Sequence, residues 1–66
     1  MINTLRVERA VKRMTQQQLA EAVKVSRQTI NAIESSKYIP STVLSLKIAA
    51  VFGKSVNDIF TLEETD

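Results

Sequence analysis

Arg27-Gln28-Thr29-Ile30-Asn31-Ala32-Ile33-Glu34 contains two large apolar residues, Ile30 and Ile33, three positions apart. At helical spacing they share one face and turn the other side chains away from it. The outward set of Arg27, Gln28, Thr29, Asn31 and Ala32 offers a guanidinium, two amides, a hydroxyl and methyl groups, with no carboxylate before Glu34. These groups match the edges of stacked bases. An amide can donate to and accept from adenine at once, a guanidinium can donate twice to guanine, and the methyl of Ala32 or Thr29 suits thymine. A helix face that only meets water usually carries Glu and Lys instead.

Other chemistry is poorly provided for. The 66 residues include no Cys and no His, which removes thiol nucleophiles, imidazole bases, disulfides and the usual zinc ligands. The acidic residues show no paired catalytic spacing, and a chain of this length has little room for a substrate pocket. An enzyme is therefore not expected, nor is a metal, a cofactor or a small-molecule ligand. One domain over residues 1–66 with one core is expected. No basic segment followed by an apolar run opens the chain, and the longest apolar stretch, Ile48 to Phe52, is far too short to span a membrane. Cytoplasmic location is the expectation.

The net charge of +2 is unevenly spread. Residues 1–37 carry seven basic residues against three acidic ones, a balance of +4, and residues 38–66 carry two against four, a balance of −2. The first half could face a polyanion.

The elements that must position these groups are short helices. One Gly and one Pro leave little room for hairpins, and no period-two alternation of useful length marks a strand. Val7, Ala10, Val11 and Met14 form an i, i+3, i+4, i+7 stripe that predicts a helix over 4–14 with this face inward and Leu5 joining the core. Thr15 with Gln18 reads as a capping box opening a helix over 16–23, with Leu19, Ala20 and Val23 inside. Ser26 caps a helix over 27–34. Residues 35–41 are a loop, in which Tyr38 and Ile39 are expected to cover the core edge, the alternative for Tyr38 being a contact with the DNA backbone. A fourth helix over 42–52, with Val43 or Leu44, Leu46, Ile48, Ala49 and Phe52 available to the core, stops at Gly53. Ser55 caps a last helix over 56–60, and residues 63–66 are expected to fray.

Only Lys24, Val25 and Ser26 separate the second helix from the third. Two short helices joined this tightly cross steeply, as in a helix-turn-helix, and the second protrudes with a width that suits the major groove.

Residues 15–34, TQQQLAEAVKVSRQTINAIE, resemble the helix-turn-helix of the phage repressor and Cro class, the XRE family. The likeness continues through SSKYIPS, LKIAAVFG and SVNDIF and so covers about residues 5–60. It implies an all-α, compact five-helix, lambda-repressor-like fold with its helix-turn-helix at about 16–34. It also implies a regulator, expected to be a repressor, that binds operator DNA in a sequence-specific way. Three positions depart from the pattern: Lys24 and Ser36 stand where Gly is common, and Glu8 where an apolar residue is usual.

On this reading Arg27, Gln28, Asn31 and Ala32 read bases, while Gln16, Gln17, Ser26, Thr29 and Lys37 hold the DNA backbone. The resemblance assigns Gln16 a phosphate contact, and it makes Arg9 and Glu34 a partly buried structural ion pair. A module this small favours a homodimer on a two-fold operator, with Val56, Ile59, Phe60 and Leu62 as the expected contact. The alternative is a protein-interaction or antitoxin-like module of the same fold, with DNA binding secondary.

Overall fold

The computed structural model describes residues 1–66 throughout. Five helices, α1 (Leu5–Val11), α2 (Gln16–Val23), α3 (Arg27–Glu34), α4 (Thr42–Phe52) and α5 (Val56–Ile59), are flanked by two short strands, β1 (Ile2–Asn3) and β2 (Phe60–Thr61). One cluster of twelve buried side chains holds them together, with Leu5, Leu19, Ile30, Ile33, Ile48 and Ile59 wholly enclosed. α2 packs on both α3 and α4, so the helix-turn-helix rests on the longest helix.

Caps and C-terminal turns fix the helix limits. The Thr15 hydroxyl accepts from the Gln18 N–H at 3.0 Å, and the Gln18 side chain accepts from the Thr15 N–H at 2.8 Å, a reciprocal capping box. Ser26 and Ser41 each accept from the backbone three residues on. Four turns place a residue in the left-handed region, and only Gly53 of the four is glycine; the others are Arg13, Lys24 and Ser36. Each closes a helix with the same pair of bonds. After α2, the Lys24 N–H donates to the Glu21 carbonyl and the Val25 N–H to the Ala20 carbonyl. That is a Schellman motif, which satisfies carbonyls the helix end would leave unpaired.

Several expectations are corrected. The expected five-helix, lambda-repressor-like class holds, but a short strand pair that the sequence did not mark joins it. β1 and β2 pair antiparallel, Ile2 with Thr61 and Asn3 with Phe60. Two-residue strands carry too few positions for an alternating pattern, and their pairing depends on the meeting of the two chain ends. α1 is also shorter than 4–14 and turned the other way. Val7 is 61% exposed and Val11 75%, and Ala10 is exposed too. Leu5, Glu8 and Arg9 point inward instead. They obey the same i, i+3, i+4 spacing two residues earlier, roughly 200° round the helix. Met14 still reaches the core, because the chain turns at Arg13 and the helix does not carry it.

In α4 the core takes Leu44, Ile48, Ala49 and Phe52, and leaves Val43 and Leu46 exposed. Tyr38 and Ile39 are exposed, and Pro40 is the buried residue of that loop. α5 ends at Ile59, since Phe60 is already extended in β2. Ile59 and Phe60 belong to the core, so of the four residues expected to meet a second copy only Leu62, 78% exposed, and half-buried Val56 remain available. The tail folds back on the first residue, with the Met1 ammonium 2.7 Å from an Asp66 oxygen and 3.0 Å from Glu63.

Candidate nucleic-acid interface

α3 is anchored by Ile30 and Ile33, both buried, which holds its opposite face outward. Arg27, Gln28 and Asn31 are exposed, Thr29 and Ala32 half-buried. The Ser26 hydroxyl lies 3.0 Å from the Thr29 hydroxyl and accepts from the Thr29 N–H, so these two residues form the cap of α3 together. Gln17 is exposed at the start of α2. The box at Thr15 engages the Gln18 N–H and leaves those of Gln16 and Gln17 at the helix N-terminus, where partial positive charge gathers.

Beneath this surface lies a polar cluster. The Arg9 guanidinium grips Glu34 with two bonds, Nη2 to Oε1 at 3.0 Å and Nε to Oε2, and its Nη1 donates to the Met14 carbonyl at 2.9 Å. A planar fork matched to a carboxylate is a strong form of ion pair. The Glu34 side chain is 1% exposed. Burial pushes its carboxyl up, but the hydrogen bonds from Arg9 and Gln16 outweigh burial and hold it below the ordinary range. Arg6, largely exposed, stands 3.8 Å away. Gln16 Nε2 donates both to Glu34 Oε1 and to Asn31 Oδ1, each at 3.2 Å. Gln16 and Asn31, assigned separately to backbone and base, are thus directly bonded.

Asn3 was missed by sequence reasoning. Its Oδ1 accepts from the Leu5 N–H, opening α1, and its Nδ2 donates to the Ile33 carbonyl at 2.8 Å, tying the end of β1 to the end of α3. An Asn two residues before a helix is a recognisable capping signal, but its second bond spans thirty residues.

Not every charge is paired. Glu8 and Glu34 are occupied by Lys54 and by Arg9 with Arg6, whereas Arg27 and Lys37 make no ion pair. Two unneutralised cations therefore lie at the start of α3 and just beyond its end. No helix is long and apolar enough to cross a membrane.

The chain is similar to known proteins. The chain is 48% identical to an uncharacterized HTH-type transcriptional regulator of Methanocaldococcus jannaschii over the full length of both. It is 48% identical to the HTH-type transcriptional regulator YgzD of Bacillus subtilis over 76% of each chain. The crystal structure of the clp gene regulator ClgR from Corynebacterium glutamicum superposes with a TM-score of 0.76 at 35% identity, covering 82% of this chain. The chain spans 57% of that structure's length. Residues 5–59 match the helix-turn-helix family HTH_3, and the chain belongs to that family.

Proposed function

We propose that the protein is a sequence-specific double-stranded DNA-binding transcriptional regulator that inserts α3 into the major groove. The observation that carries this is the outward face of α3. Arg27, Gln28 and Asn31 stand exposed on a helix fixed from behind by Ile30 and Ile33, with no carboxylate among them. Arg27 and Gln28 lie in the first turn, the part that reaches base edges in helix-turn-helix proteins, and Ala32 meets a thymine methyl further along. Phosphates are held at the start of α2 by Gln16 and Gln17, at the cap of α3 by Ser26 and Thr29, and by Lys37. The relatives, named transcriptional regulators, support the regulatory role and give no support to an enzyme.

The protein acts in the cytoplasm as a homodimer, and it represses, because a protein lodged in the groove excludes others from the same site. The exposed apolar side chains of Ile39, Val43, Leu46 and Leu62 support self-association. Selection of bound duplexes from a random pool tests the reading. It predicts enrichment of an inverted repeat whose half-site centres lie about 34 Å apart, one turn of DNA. No enriched motif would contradict sequence-specific binding, and a single unrepeated motif would contradict the dimer.

A further inference from the structure

The cluster under α3 has a direction. Glu34, doubly bonded to the Arg9 guanidinium and almost wholly buried, is a carboxylate and can only accept hydrogen bonds. Gln16 must therefore present its NH2, not its carbonyl, toward Glu34 Oε1. The second hydrogen of the same NH2 then meets Asn31, which must answer with its Oδ1. That bond holds Oδ1 on the Gln16 side of the amide and leaves the Asn31 NH2 without a partner inside the protein.

We infer that Arg9, Glu34 and Gln16 form a hydrogen-bond relay that orients Asn31 to meet a base with its NH2. This rests on the DNA-binding reading above, and refines it. A free Asn prefers adenine, because it can donate to N7 and accept from N6 together. An amide held with its NH2 toward the groove and its Oδ1 toward Gln16 is poorly placed to accept from N6 and favours guanine, which shows two adjacent acceptors, N7 and O6, in the major groove. Gln16 is then a positioning residue. Both hydrogens of its side-chain amide are used within the protein, and its contribution to phosphate binding comes from the backbone N–H at the start of α2.

The test measures equilibrium binding of the full chain and its variants to the selected operator and to each of its single-base variants. Asn31→Ala identifies the base pair concerned, where the wild-type protein is expected to favour guanine over other bases by about fivefold or more. Gln16→Leu frees Asn31 Oδ1. It is expected to lower the guanine-to-adenine preference at that base pair alone and to leave the others intact. Asn31→Asp can keep the bond from Gln16 but offers the DNA only acceptors. It is expected to move the preference there to cytosine, whose N4 donates, and it decides the matter should Gln16→Leu fail to fold cooperatively.

Equal weakening of every operator variant by Gln16→Leu would overturn the relay and make the Gln16 side chain a phosphate contact. An adenine preference at the Asn31 base pair in the wild-type protein, or no base preference traceable to Asn31, would overturn it as well. A wild-type chain that binds no duplex would fail the DNA-binding reading itself, an outcome separate from an operator-binding protein whose relay is absent.

Discussion

The carboxylate of Glu8, on the inward face of α1, accepts a hydrogen bond at 2.8 Å from the ammonium of Lys54, just beyond the end of α4. Glu8 is buried, while Lys54 is nearly half-exposed. The bond explains how an acidic residue occupies a position turned toward the core. The Lys54 stem reaches over the surface and neutralises it, and the Lys54 ammonium is in turn held protonated above its ordinary range by that carboxylate.

A pair of this kind stabilises little, because desolvation of the carboxylate opposes the attraction. Glu8→Leu is expected to leave stability unchanged or raised, since it removes the charge and fills the site. Lys54→Met strands the carboxylate and should cost more than Glu8→Leu. Urea midpoints at constant m-value check this, and the reverse order would mean that the ion pair itself holds α1 in place.

How α1 turns could not be read from its own residues. The set Val7, Ala10, Val11, Met14 and the set Leu5, Glu8, Arg9, Lys12 fit one helical period equally well, and hydrophobicity favours the first. What decides between them lies elsewhere in the chain. Glu34 waits for Arg9, and Lys54 for Glu8. Features with local causes were legible, such as the Thr15–Gln18 box, the Ser26 cap and the outward set of α3, because each needs only neighbours within a few residues. The strand pair, the Asn3 bond to Ile33 and the contact between Gln16 and Asn31 join distant segments and leave no mark in any one of them.

Arg9 and Glu34 are expected to couple strongly. Arg9→Met leaves Glu34 buried with only Gln16 and the distant Arg6, whereas Glu34→Leu leaves Arg9 its bond to the Met14 carbonyl. Arg9→Met should therefore be the more damaging of the two. A double-mutant cycle should return about 1–3 kcal/mol of coupling. Additive effects would show that the two side chains act independently.

Acid should weaken the same contact. Glu34 titrates below its ordinary value of 4.5 in the folded protein, so the unfolded chain takes up the proton first as pH falls. Its contribution is complete above that ordinary value and declines as pH drops through the folded one. The stability gap between the wild-type protein and Glu34→Gln should be constant near neutrality and shrink below about pH 4.5. Other carboxylates affect both proteins alike and cancel in the difference. A gap that stays constant down to pH 3 would contradict the lowered titration.

Lys24 holds a left-handed conformation, φ 61°, in the turn that sets the angle between α2 and α3. A side chain there is strained by about 1 kcal/mol relative to glycine, partly offset by the greater freedom glycine gives the unfolded chain. Lys24→Gly is expected to raise the melting temperature modestly. A fall in melting temperature would show that the Lys24 side chain stabilises the turn by contacts that exceed the strain.

The central claim, that α3 and the cations around it bind DNA, is tested most directly by the salt dependence of binding to the selected operator. Each phosphate neutralised should contribute roughly −0.9 to the slope of log K against log salt, so a steep negative slope is expected. Lys37→Ala should make it shallower by about one, weakening all sequences alike. A slope near zero, or one that Lys37→Ala leaves unchanged together with the affinity, would contradict the proposed binding surface.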